Sequence, residues 1–180
     1  MDRSNHYEVA FASYLQAHRV SYVAVDETRR SLFADEPVKS LDFLVFAEGG
    51  VRLVIDVKGR RFPGGRADRP RRVWECWSFR EDVTALDRWA ALAGPDYRGL
   101  LVFAYVLHRS VELPADTADL FVCRGRRYLF RAVDVPAYRE AMVVRSPRWD
   151  TVTLPRAVYR TLVRPFRDFL RVEQAEEVPF

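Results

Sequence analysis

Apolar residues at Tyr7, Ala10, Phe11, Tyr14 and Leu15 recur at the spacing of one helical face, so the chain opens on an amphipathic helix. Asn5 stands before it as an N-cap, and Glu8, three residues on, completes an asparagine version of the capping box. At 100° per residue Glu8 falls about 90° from the centre of the apolar stripe, at the border of core and surface. Val20 to Val25 predicts a short strand, and the polar stretch Asp26 to Lys39 leads into a hairpin. One arm of the hairpin is Leu41 to Phe46, the turn is Glu48-Gly49-Gly50, and the return arm is Val51 to Lys58. A loop rich in glycine, proline and arginine follows, from Gly59 to Arg72. Ser78 and Glu81 read as a second capping box, opening a helix with Val83, Leu86, Trp89, Ala90 and Ala93 on one face. Gly94-Pro95 ends it, and Leu100 to Leu107, the most continuously apolar run, predicts an interior strand. Phe121 to Val133 predicts a hairpin turning at Arg124-Gly125-Arg126, and short strands or turns fill Met142 to Thr153. A last helix is predicted from near Pro155 towards Val172, kinked at Pro165.

This order of elements predicts an α/β fold, a mixed β-sheet flanked by helices. At 180 residues the chain is most simply one domain with a core large enough to need no staples. Its core spans about 5–107, a C-terminal extension of hairpin and helix about 108–172, and an acidic tail 173–180. Cys76 and Cys123 form neither a metal spacing nor a disulfide framework, and no apolar run approaches a membrane span. The first residues lack the layout of a signal peptide, so a cytoplasmic home and no membrane partner are expected. His6, His18 and His108 have no ligand spacing, and no glycine run matches a phosphate-binding loop.

The hairpin carries the candidate chemistry. A turn centred on Gly49 pairs 43 with 55 and 42 with 56, so Asp42 and Asp56 face each other across the strands. Lys58 points to the same face as Asp56, one pleat on. Two opposed carboxylates destabilise a hairpin unless positive charge lies between them, and a divalent cation with the Lys58 ammonium would supply it. The alternative is a pair of solvated strand ends with Lys58 as their ion-pair partner. Asp56 interrupts a run (Leu53, Val54, Ile55, Val57) apolar enough to be buried on both faces, and a buried carboxylate needs a partner or a metal.

With Glu8 on the first helix, Asp42 on the second strand and Asp56-Val57-Lys58 on the third, the region from Asn5 to Leu107 resembles the PD-(D/E)XK nuclease superfamily. The resemblance implies an αβββαβ restriction-endonuclease-like core. It also implies a magnesium- or manganese-dependent phosphodiester hydrolase acting on nucleic acid, DNA foremost. On it, Asp42 and Asp56 are metal ligands, the Val57 carbonyl adds an oxygen, Glu8 holds a metal-bound water or a second ion, and Lys58 positions the attacking water. Glu8 serves equally well as a capping carboxylate. His6-Tyr7-Glu8-Val9-Ala10-Phe11 is also similar to the opening signature of the HYExAFE family, with Ala12 in place of that signature's last glutamate. The alternative function is a non-catalytic nucleic-acid-binding or protein-interaction module on the same scaffold.

Net charge is only +4, but the basic residues cluster. Arg60, Arg61, Arg66, Arg69, Arg71 and Arg72 leave the candidate site together and could grip phosphates flanking the scissile one. Arg156, Arg160, Arg164, Arg167 and Arg171 fall on one face of the last predicted helix, as a second basic stripe or a solvated face. Trp74 and Trp77 beside the loop read as core anchors, with base stacking the lesser role. Nucleases that cut two strands often pair, so a homodimer is an open expectation.

Overall fold

The computed structural model describes residues 5–25, 31–33, 36–38, 41–66 and 68–171. Helix α1 (His6–Ala17) is capped by Asn5, whose side chain accepts from the Tyr7 N–H, and it buries Ala10, Phe11, Tyr14 and Leu15, the predicted stripe. Strand β1 (Ser21–Ala24) follows, then a short pair, β2 (Ser31–Phe33) and β3 (Glu36–Val38), inside the polar stretch that leads into the hairpin. Strand β4 (Phe43–Phe46) joins β5 (Arg52–Phe62) through one 3₁₀ turn, Glu48–Gly50. Gly49 and Gly50 take φ of 72° and 83°, a region glycine enters without Cβ strain. The register is Phe43↔Ile55, Leu44↔Val54, Val45↔Leu53 and Phe46↔Arg52, as a turn centred on Gly49 requires.

Strand β5 does not stop at Lys58. It runs to Phe62, paired in parallel along its whole length with β9 (Tyr97–Leu107) from Arg52↔Tyr97 to Phe62↔Leu107. The segment beyond it forms a small hairpin, β6 (Gly64–Arg66) with β7 (Arg69–Arg71). The predicted Gly59–Arg72 loop is thus largely strand and hairpin. Gly59 serves close approach rather than mobility, since a Cβ there would overlap the Tyr7 ring of α1.

Strand β8 (Ser78–Phe79) leads into α2 (Arg80–Ala93), which ends at Gly94 with φ of 118°. The Ser78–Glu81 capping box does not form: Phe79 is the N-cap residue and gives no side-chain cap. Strands β10 (Leu120–Cys123) and β11 (Arg126–Asp134) make the expected hairpin. Helix α3 (Val135–Ala141), β12 (Val143–Ser146), β13 (Thr151–Thr153) and α4 (Arg156–Leu162) follow. The last helix therefore stops well short of Val172. Residues before a proline favour extended backbone, and Arg164 and Pro165 form β14 on Arg131 and Ala132 of β11 before a 3₁₀ turn, Phe166–Leu170. The single stripe is accordingly divided among α4, β14 and the 3₁₀ turn, with Arg171 just past the turn. The tail from 172 lies outside the described residues.

The main sheet runs β1-β4-β5-β9-β11-β10, with β14 on β11; β5 and β9 are its parallel neighbours. Strand alternation sorts β5 between two cores. Leu53, Ile55 and Val57 pack with α1, Phe43, Leu100 and Phe130, while Val54 packs on the other face with Val83 and Leu86 of α2 and with Leu101 and Phe103. Asp56, Lys58 and Arg60 alternate onto that second face.

Candidate active site

Lys58 lies between two carboxylates. Its Nζ is 2.6 Å from Asp56 Oδ2 and 2.5 Å from Asp82 Oδ2. Asp82 is in the first turn of α2, 3% exposed, and also accepts from Ser78 Oγ at 3.3 Å. Burial by itself would lower the Lys58 pKa, but the charges and hydrogen bonds of Asp56 and Asp82 outweigh it and hold the ammonium well above its ordinary range. Lys58 is therefore a fixed cation. It can donate hydrogen bonds and stabilise negative charge, and it cannot act as a free-amine base near neutral pH.

Asp42 and Asp56 are 5% and 7% exposed. The β4–β5 ladder ends at Phe43↔Ile55, so the aspartates are not a ladder pair as the register alone suggests. The Asp42 N–H still donates to the Ile55 carbonyl at 2.9 Å, and the Asp42 side chain turns onto the next amide of β5: Oδ2 accepts from the Val57 N–H at 2.6 Å. Asp42 thus satisfies an edge amide that β4 is too short to reach, and it sits on the peptide that joins Asp56 to Val57. In a strand, one residue's N–H and C=O project to the same edge. The Val57 carbonyl accordingly faces the Asp42 side.

The first helix does not cover Lys58. It packs on the opposite face, with Tyr7 over Gly59, and α2 supplies the cover through Asp82. His6 Nδ1 meets the Tyr128 hydroxyl at 2.9 Å, which pins the same helical turn to β11. Glu8 lies in that turn, half-buried, and takes a short hydrogen bond from the Asn5 side-chain amide.

The predicted phosphate-gripping arginines divide. Arg60 is 8% exposed: its guanidinium donates to the Gly59 carbonyl at 2.7 Å and to the Trp77 carbonyl, and lies 3.9 Å from the centre of the Trp77 ring. Burial pushes its pKa down. It is an internal brace, not a surface contact, because β5 continues through it. Arg61, Arg69, Arg71 and Arg72 are exposed, and the Arg66 side chain lies outside what is described.

Asp82 is the residue the sequence reading missed. The signal was present: 82 lies on the same helical stripe as Val83, Leu86 and Trp89, so an acidic residue sits on the buried face of α2.

The donor chemistry fits a magnesium-like ion. Asp42 and Asp56 are buried hard-oxygen carboxylates attached to one peptide unit, and magnesium is commonly held by one or two carboxylates with water completing its shell. No group of three His, Cys, Asp or Glu residues that could hold a metal gathers among the described residues. Among these residues, no helix is long and apolar enough to cross a membrane.

No protein-family model and no curated protein matches the chain, so neither family resemblance gains support from sequence comparison. Among solved structures it is similar to Archaeoglobus fulgidus Hjc, a Holliday junction resolvase from an archaeal hyperthermophile, with a TM-score of 0.51 and 13% identity. The match covers 92% of this chain and 98% of that one. Together with the sheet order, this likeness gives the chain a restriction-endonuclease-like fold, a mixed sheet flanked by helices.

Proposed function

We propose that the protein is a metal-dependent phosphodiester hydrolase acting on nucleic acid, DNA foremost, with Asp42, Asp56 and Lys58 at its centre. The observation that carries this reading is the Lys58 ammonium fixed between Asp56 and Asp82, beside an Asp42 carboxylate docked on the Val57 amide. Asp42 and Asp56, with the Val57 carbonyl, would hold magnesium or manganese, while Glu8, on the helix that packs on the opposite face, serves as the capping carboxylate. When bound, the ion lowers the pKa of a coordinated water and offsets charge on the phosphate. Lys58 Nζ keeps its protons, directs one towards the attacking water or a non-bridging phosphate oxygen, and stabilises the negative charge that builds there. Asp82 holds that ammonium in place from the helix side. Branched DNA, named for the structural neighbour, is the first substrate to try, and two copies would act together where both strands are cut.

The test is cleavage of labelled duplex, single-stranded and four-way-branched DNA with magnesium or manganese. Asp56→Asn and Lys58→Met, each checked for native circular dichroism, should lose at least about a hundredfold in rate. Cleavage at the wild-type rate in both variants would remove the assignment. The second reading, a binding module without catalysis, is favoured by the internal contacts Asp42 and Asp56 already make. It predicts salt-sensitive binding with no cleavage on any of the three substrates.

A further inference from the structure

A cavity of about 600 Å³ opens on the α2 side of the sheet, between the segment 71–77 and the C-terminal extension. Arg71, Arg72, Arg131, Arg145, Arg156 and Arg160 line it, and Glu75 is the one acidic residue among its walls. Six arginines gather there in a chain whose whole net charge is +4. Arg131 is engaged with the Ala118 and Phe130 carbonyls, and Arg71 is 3.9 Å from Glu75. Arg72, Arg156 and Arg160 are exposed and have no ion-pair partner among the described residues. Like charges converge at one mouth only at a cost, which an anionic ligand would offset.

The inner walls are aromatic. The Trp77 ring has the Arg60 and Arg145 guanidiniums 3.9 and 4.9 Å from its centre. Trp74 stacks on Phe62 at 3.6 Å and meets Tyr105 edge-on, and the Tyr105 and Tyr159 hydroxyls pair at 2.7 Å. A ligand that is flat at one end and multiply anionic at the other matches this arrangement: aromatic platforms with arginines are how proteins hold single nucleotides in a strand. A duplex does not enter a cavity of this size, whereas a nucleotide taken out of its stack does.

The candidate active site does not line the cavity, but Trp77, one of the cavity's walls, is linked to that site through neighbouring residues. Arg60 is two residues from Lys58 on the same face of β5, about 7 Å along the strand. Its guanidinium holds the Trp77 carbonyl, and the next residue, Ser78, reaches Asp82, the carboxylate on Lys58.

We infer that this cavity binds an unpaired nucleotide of a nucleic-acid strand, its base against Trp77 and Trp74 and its phosphates on Arg72, Arg156 and Arg160. The substrate class of the proposed hydrolase, on whose reading this extension rests, is then nucleic acid with a single-stranded end or a displaced base close to the cut.

Binding is measured in a chelator, so that it depends on neither metal nor cleavage. Fluorescence anisotropy at fixed salt compares a labelled single-stranded DNA 12-mer with the blunt duplex of the same sequence. Arg156 and Arg160 are exposed on α4, so Arg156→Ala with Arg160→Ala should fold, and Trp77→Leu supplies a second variant. Single-strand affinity should fall about tenfold in each, with blunt-duplex affinity changing less than about twofold. Unchanged single-strand binding in the arginine variant, or an equal loss for duplex, overturns the inference. Displacement of the strand by inorganic phosphate as effectively as by the 12-mer overturns the role of the base. Free deoxyadenosine monophosphate binding more tightly than the 12-mer would reassign the cavity to a small nucleotide and overturn the strand assignment. A protein that binds this way without cleaving refutes only the hydrolase, and one that cleaves without it refutes only the cavity.

Discussion

Replacing Asp82 by asparagine keeps the side chain's shape and one acceptor for Lys58 but removes the charge. Lys58 keeps Asp56 at 2.6 Å in the variant and still donates a charge-assisted hydrogen bond to the asparagine oxygen. What is lost is the attraction between charges, roughly half of the 1.5–3 kcal/mol that a hydrogen bond to a charged group contributes, about 1–1.5 kcal/mol. In a chain of this length each kcal/mol lowers Tm by about 2–4 °C, which gives a drop of about 2–6 °C. Asp82→Leu goes further, leaving a buried ammonium with a single carboxylate, and should cost about 3 kcal/mol. Lys58→Met alone leaves Asp56 and Asp82 without their shared cation. Combining Lys58→Met with Asp82→Leu should destabilise by about 2 kcal/mol less than the sum of the single changes. Urea denaturation followed by circular dichroism measures all four corners of this cycle. A coupling below about 0.5 kcal/mol would mean that the ammonium is not clamped from the helix side, and the account of Lys58 as a fixed cation would fall with it.

Gly59→Ala should destabilise by about 1–3 kcal/mol in the same denaturation assay, because the new methyl meets the Tyr7 ring; Tyr7→Leu should recover part of the loss, and an unaffected Gly59→Ala would argue against the contact. Arg60→Ala should lower Tm by several degrees through the lost brace to Trp77, while the exposed Arg72→Ala leaves Tm within about 2 °C. Asp119 accepts from the Tyr14 hydroxyl at 2.8 Å and from the Arg167 N–H and Nε at 2.9 and 2.7 Å, so Asp119→Ala should cost about 3 kcal/mol by urea titration. Lys58 has its pKa raised above the unfolded value of 10.5. Its contribution to stability is thus full below that pH and declines only as pH rises towards the folded value. Stability from Lys58 should be flat from neutral pH to about 10, and a cleavage profile with a lysine limb near pH 8 would contradict the clamp.

The hairpin and its register were legible because the turn and the apolar runs are local. Gly49-Gly50 sits between two strongly apolar arms, and a turn there permits one alternation that buries Phe43, Val45, Leu53 and Ile55 together. The helix ending at Gly94 and the strand at Leu100–Leu107 were legible for the same reason, though the strand begins three residues earlier, at Tyr97. What failed was wherever a distant element overrides a local preference. Gly59, Arg60 and Arg61 look like the start of a loop, yet β9 offers them a parallel partner whose apolar run continues to Leu107, and backbone hydrogen bonding carries β5 on to meet it. Ser78 and Glu81 satisfy the spacing of a capping box, but the serine hydroxyl is drawn to Asp82.

The candidate site shows the same division. The proximity of Lys58 to Asp56 was legible because strand alternation is a short-range property, whereas the direct Asp42–Asp56 pairing expected from the register gives way to Asp42 turning onto the Val57 amide. Asp82 lies 24 residues from Lys58, and no local pattern links the two. The clue was an acidic residue on the apolar face of α2, beside Val83 and Leu86. Buried at 3% exposure, such a carboxylate needs a cation, and the face of β5 that α2 packs on offers Lys58. A charged residue that breaks an amphipathic stripe therefore identifies a partner across the packing interface. Asp56, which breaks the apolar run of β5, and Asp82, which breaks the stripe of α2, point to the same ammonium from opposite sides. Two independent violations of hydrophobic patterning that meet at one cation are what a site held together by charge, and not by apolar packing, should look like.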